Sequence, residues 1–139
     1  MLNTNLTIAD LNKLSPNTIA EQIGIEFTEY GTDFICAKMP VDKRTHQPMG
    51  MLHGGASVVL AETLGSVGSY MCVDRSKQYC VGLEINANHV KGMKEGYVFG
   101  KATLLHMGKK THIWDIRITN EQGELVCVSR LTIAVIDIK

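Results

Sequence analysis

The sequence predicts a single α+β domain, residues 1–139, in which an antiparallel sheet wraps one long helix. Three observations carry that expectation. A chain of 139 residues suits one domain around one core. The stretch from Leu52 to Cys72 is apolar or small on every side of a helix, and a helix without a polar face is a buried one. From Val81 onward, apolar and polar residues alternate in runs separated by short turns, the mark of strands. A helix needing cover and a sheet with an apolar face satisfy each other when the sheet curls around the helix.

The elements follow in order. Residues 7–14 and 17–23 read as two short helices separated by Ser15-Pro16. A strand is expected over 32–40, where Phe34, Cys36 and Lys38 alternate with Ile35, Ala37 and Met39. A loop from Val41 to Met51, holding Pro48 and Gly50, leads into the long helix. Beyond it, Val81, Leu83, Ile85 and Ala87 should share one strand face, opposite Gly82, Glu84, Asn86 and Asn88. A second run covers 96–107 and breaks at Met107-Gly108-Lys109; a third covers Thr111 to Thr119, with His112, Trp114, Ile116 and Ile118 on one face. Asn120 to Gly123 makes a turn, and Leu125 to Ile136 returns. Such short links predict an antiparallel meander.

Composition narrows the function. Fourteen basic and fourteen acidic residues cancel, so no overall charge points to nucleic acid or an acidic membrane. The distribution is uneven, however. Arg75, Lys77, Lys91, Lys94, Lys101, Lys109 and Lys110 face only Glu84 and Glu95 between residues 75 and 110. A solvated sheet face and a rim for a polyphosphate both fit this run. Cys36, Cys72, Cys80 and Cys127 lack CxxC spacing and sit among apolar neighbours, as reduced thiols of a cytoplasmic protein would. The amino terminus has no signal-peptide pattern, and Glu62 with four glycines breaks the one long uncharged stretch, so no membrane span is expected. No metal-ligand spacing links His89, His106 or His112, and no phosphate-loop, dinucleotide or Ser-His-Asp signature is present. Neither a metal nor a resident cofactor is expected.

The chemistry concentrates at the long helix. With its histidines neutral, the stretch between Arg44 and Asp74 holds one charge, Glu62. Burying a carboxylate costs several kcal/mol, to order of magnitude, unless it is paired or neutralised. Glu62 is therefore either tied to a neighbouring turn or partner chain, or kept as a base or nucleophile. Ser66 follows at i+4, on the same face. His53-Gly54-Gly55 opens the helix, where amides lack acceptors and the dipole is positive. Such amides can serve as an oxyanion hole or merely form a tight turn. Gly55 and Glu62 lie about 10 Å apart along one helix, too far to serve one carbonyl carbon. Two antiparallel copies across a two-fold axis would bring them together. His53 suits a hydrogen-bond donor at the helix start or a general acid, and Gln47 would by default be solvated.

These residues carry a family resemblance. The run His46-Gln47-Pro48-Met49-Gly50-Met51-Leu52-His53-Gly54-Gly55-Ala56-Ser57, then Val59-Leu60-Ala61-Glu62-Thr63-Leu64-Gly65-Ser66, resembles the signature of PaaI-like hotdog-fold acyl-CoA thioesterases. It is similar above all to the small bacterial menaquinone-pathway enzymes that hydrolyse 1,4-dihydroxy-2-naphthoyl-CoA. Val81 to His89 and Val128 to Thr132 fit the same subgroup. The resemblance implies a five- to six-stranded antiparallel sheet around the helix, and a homodimer with shared active sites that pairs again into a homotetramer. It implies that Glu62 attacks the thioester or activates water, that the Gly55 amide polarises the carbonyl, that His53 and Gln47 orient it, and that Ser66 assists the water. Coenzyme A enters as part of the substrate. The family's contacts to it correspond to Gly82, to His89, Val90, Lys91 and Gly92, and to His106, Met107, Gly108, Lys109, Lys110 and Thr111. Met49 stands where relatives often have Phe, and Lys109-Lys110 where they have a small hydroxyl and Arg. A non-catalytic acyl-CoA-binding module and a hotdog hydratase or dehydratase are the competing readings.

Overall fold

The computed structural model describes residues 1–139. Two short helices, α1 (Ile8–Asn12) and α2 (Ile19–Gln22), precede strands β1 (Glu26–Tyr30) and β2 (Phe34–Pro40). The long helix α3 (Gly54–Tyr70) follows, then β3 (Gln78–His89), β4 (Tyr97–Met107), β5 (Thr111–Thr119) and β6 (Leu125–Asp137). All six strands form one antiparallel sheet in the order β1-β2-β4-β5-β6-β3. The meander from β4 to β6 is as the turn residues predict. The short strand β1 carries no clear alternation and is absent from the sequence expectation; only its Phe27 is buried.

One face of α3 explains why the sheet curls around it. Ser57, Leu60, Ala61, Leu64, Gly65, Gly68 and Ser69 are buried, a stripe at helical spacing. At Gly65 and Gly68 the helix meets the sheet without side chains of its own. A Cβ there would stand 2.4 Å from Leu131 and 2.5 Å from Trp114, respectively. The opposite face, with Val58, Val59, Glu62, Thr63, Ser66 and Val67, is only half-buried. The helix is thus not enclosed on every side within one chain, although its sequence is apolar all round.

A third departure from expectation is in β3. A bulge between Gly82 and Glu84 shifts its register against β6. Ile85 and Ala87 face the core, but Cys80, not Val81, joins them on the amino-terminal side of the bulge. Val81 and Leu83 are left exposed. An extra residue in one strand exchanges the faces of everything before it.

Candidate active site

The loop into α3 is fastened to the connection between β3 and β4. Leu52 N–H donates to Met93 O at 2.7 Å, Val41 N–H to Gly96 O at 2.8 Å, and His46 Nε2 lies 2.8 Å from Lys94 O. Gly50 takes a positive φ of 75°, closing the turn in which its N–H meets Gln47 O at 2.9 Å. Gln47 is half-buried; its Oε1 accepts the Met49 N–H, which leaves its Nε2 free to donate. Met49 beside it is 80% exposed.

His53 is the N-cap of α3, with Nδ1 accepting the Gly55 N–H at 2.7 Å. The ring therefore acts here as an acceptor. His53 O takes the N–H groups of Ala56 at 3.0 Å and Ser57 at 3.4 Å. Among the first-turn amides, that of Gly54 alone donates to no protein acceptor. The open donor at this helix start is thus Gly54, while the Gly55 amide is held by its own cap. The His89 imidazole stands against the same spot: a Cβ on Gly54 would lie 2.8 Å from His89 Nε2.

Glu62 lies eight residues beyond Gly54, about 12 Å along the helix. It is half-buried and forms no hydrogen bond or ion pair within the chain, and because no buried side-chain oxygen lacks a partner, its carboxylate must touch solvent. Strand β3 passes directly over it, so that a Cβ at Gly82 would fall 2.5 Å from Glu62 Oε1. Glu62, Thr63 and Ser66 line a cavity of about 270 Å³ whose other wall is Leu14, Thr18, Ile19, Ala20 and Phe27. This amino-terminal wall is missing from the sequence expectation; the apolar residues of the two short helices were its only signal. A larger groove of about 530 Å³, near Arg44 and Tyr97, holds none of the expected site residues.

Apart from Gly82, which lies within β3 over Glu62, the expected CoA contacts fall into two groups at opposite ends of the sheet. His89, Val90, Lys91 and Gly92 stand at the end where α3 starts; Lys91 Nζ is 3.4 Å from a Glu124 carboxylate oxygen, and Gly92 gives room to the Met51 methyl group. His106 to Thr111 form the β4–β5 turn at the other end. There the His106 ring lies over Gly108, Met107 Sδ accepts the Met1 amino group at 2.8 Å, and Thr111 O accepts the Gly108 N–H at 2.8 Å. Lys109 and Lys110 border a hollow of about 500 Å³ with Gln78 and Asp137. Strands of 11 and 12 residues separate the two groups by roughly 35 Å. A single chain does not bring them together.

The remaining candidates for nucleophilic or metal chemistry are quiet. Burial pushes the thiols of Cys72, Cys80 and Cys127 up, and that of Cys36 to about 11, which keeps them from being thiolates. No three His, Cys, Asp or Glu side chains gather as a metal site would require. No helix is long and apolar enough to cross a membrane.

Residues 49–127 match the thioesterase superfamily. The chain is 48% identical over 131 residues to the 1,4-dihydroxy-2-naphthoyl-CoA hydrolase of Escherichia coli strain K12, covering 94% of this chain and 96% of that one. It is likewise 48% identical over 131 residues to the proofreading thioesterase EntH of Cronobacter turicensis, covering 94% of this chain and 95% of that one. Among solved structures, a mutant thioesterase from Pseudomonas aeruginosa superposes with a TM-score of 0.96 at 48% identity, over 99% of each chain. A thioesterase from Haemophilus influenzae gives 0.94 at 44% identity, over 98% of this chain and 94% of that one. The chain belongs to the thioesterase superfamily and has its hotdog fold. It is a thioester hydrolase.

Proposed function

We propose that this enzyme hydrolyses acyl-CoA thioesters to the free acid and CoA, with 1,4-dihydroxy-2-naphthoyl-CoA the first acyl group to test among aryl and short- to medium-chain candidates. The observation that carries this reading is Glu62, a carboxylate with no partner at the side of a cavity, on the half-covered face of an otherwise apolar helix. A group kept unpaired in such a place is available to add to the thioester carbon or to take a proton from water. Ser66, one turn on, is placed to hold that water. The Gly54 amide would receive the carbonyl oxygen, joined by that of Gly55 if the His53 ring turns aside, and the free Nε2 of Gln47 would steady it. The name of the Escherichia coli relative supports the naphthoyl group. The cavity agrees in size: about 270 Å³ lies just below the roughly 300–1,000 Å³ typical of pockets for drug-sized ligands. That favours one or two rings or a short chain over a long alkyl tail.

The site is completed by a second copy. Strand β3 is a twelve-residue edge whose only charge is Glu84, and long edges without charged guards pair with other strands. Antiparallel pairing of two such edges lays the Gln78 end of one beside the His89 end of the other. It would carry the partner's Lys109–Thr111 turn toward His89 and Gly92, and one chain's Glu62 toward the other's Gly54. It would also cover the open face of α3. Dimers pairing again give the expected tetramer.

A screen of CoA release across naphthoyl, benzoyl and aliphatic thioesters tests the substrate, with an aryl or short acyl group expected to lead. Failure to release CoA from any of them would overturn the reading. The shared site is tested by mixing inactive Glu62→Ala chains with inactive chains changed at both Gln47 and His53. About a quarter of the activity should return in a freely exchanged two-fold dimer; none returning would mean each site lies within one chain.

A further inference from the structure

Gly82 sits in β3 at the bulge, yet its φ lies outside the left-handed region, so the backbone there does not call for glycine. The space does. With Ile85 and Ala87 facing the helix, unbroken alternation would place Leu83 and Val81 inward as well and turn Gly82 outward. The bulge reverses this and sets the one residue without a side chain over Glu62, with Leu83 exposed. We propose that Gly82 is a positioning residue for Glu62, and not primarily a contact for CoA: bulge and glycine together fix where the carboxylate stands. The inference rests on Glu62 being the reacting carboxylate.

The physics separates this role from a structural one. A Cβ at Gly82 would meet Glu62 Oε1 at 2.5 Å, and that oxygen is the far end of a flexible side chain tied by no hydrogen bond. The collision is relieved by rotating Glu62, not by moving the strand. Stability and assembly therefore change little, while the carboxylate leaves its place beside Thr63 and Ser66. Misplacing a reacting group by about 1 Å can cost on the order of 10²-fold in rate.

The test compares Gly82→Ala, Glu62→Asp and their combination, with Glu62→Gln as reference. Gly82→Ala should fold and assemble as the unaltered protein does, with kcat down on the order of 10²-fold and KM within about threefold. In the unaltered background, Glu62→Asp withdraws the carboxylate by one methylene and costs activity. Combined with Gly82→Ala, the same shortening clears the new Cβ, so the double variant should be at least about tenfold more active than Gly82→Ala alone. Normal kcat in Gly82→Ala, a rise in KM alone, losses that simply multiply, or collapse of fold or assembly would each overturn the inference. Full turnover in Glu62→Gln would instead bring down the catalytic reading, and this inference with it.

Discussion

The two halves of helix α3 treat polar groups in opposite ways. Toward its carboxyl end, Ser69 is fully buried, accepts the Trp114 Nε1–H at 2.8 Å and lies 2.9 Å from His112 Nδ1. The helix end itself is closed: Met71 N–H reaches Val67 O at 3.0 Å, and Asn3 N–H caps Met71 O at 2.8 Å. From its start to its middle, the Gly54 amide and the Glu62 carboxylate have no protein partners. A buried polar group left unmade costs about 1–3 kcal/mol, so the carboxyl half spends its groups on the fold. The other half keeps them solvent-accessible and unpaired, ready for a ligand. Paired groups should govern stability, and unpaired ones turnover.

The sharpest way to break this contrast is Glu62→Gln. The substitution keeps shape and removes charge from a residue that bonds to nothing in the chain. Turnover should fall by at least about 10²-fold while Tm stays within a degree or two. A folded variant retaining a tenth or more of the activity would show that the free carboxylate is idle. Ser69→Ala is the mirror experiment. It strands the Trp114 N–H and the His112 ring, so unfolding free energy should drop by about 1–3 kcal/mol. kcat on the assembled protein should change less than about threefold. An unchanged denaturant midpoint would mean that the cluster holds nothing.

The contrast was only half visible in the sequence. Periodicity places α3, the meander and the inward row from His112 to Ile118, because burial enforces periods of 3.6 and 2. A single charge in an apolar helix singles out Glu62 for the same reason. What periodicity could not give was the bulge in β3, since one inserted residue leaves the local alternation looking intact while exchanging faces. It also could not show that His53 caps Gly55 and so leaves Gly54 open, which depends on one ring's orientation. Nor does any local pattern link Leu14 and Ile19 to Glu62, or Ser69 to Trp114, because those contacts are made between distant elements.

The smallest expected effect concerns acid, and it tests whether the closed half of α3 is held by a neutral ring. Burial lowers the His112 pKa from its ordinary 6.5, helped by the positive amino group of Met1 and by His106. The folded chain thus keeps the imidazole neutral where the unfolded chain would already take up a proton. The stability this provides is fully present above about pH 6.5 and is lost as pH falls through the lower folded-state value. Proton uptake by one group limits the slope to about 1.4 kcal/mol per pH unit, reached only when the ring is neutral in the fold and charged outside it. Unfolding followed by denaturant between pH 7.5 and 5 should therefore show declining stability below pH 6.5. His112→Gln, which offers a hydrogen-bonding side chain without a titrating ring, should be less stable at pH 7.5 but should flatten that decline. Lys109, Lys110 and Asp137 border the same hollow and remain in the variant, so any common contribution from them cancels in the difference. Equal slopes for the two proteins would mean that the histidine is not the group that binds the proton on unfolding, and that another site sets the acid limit.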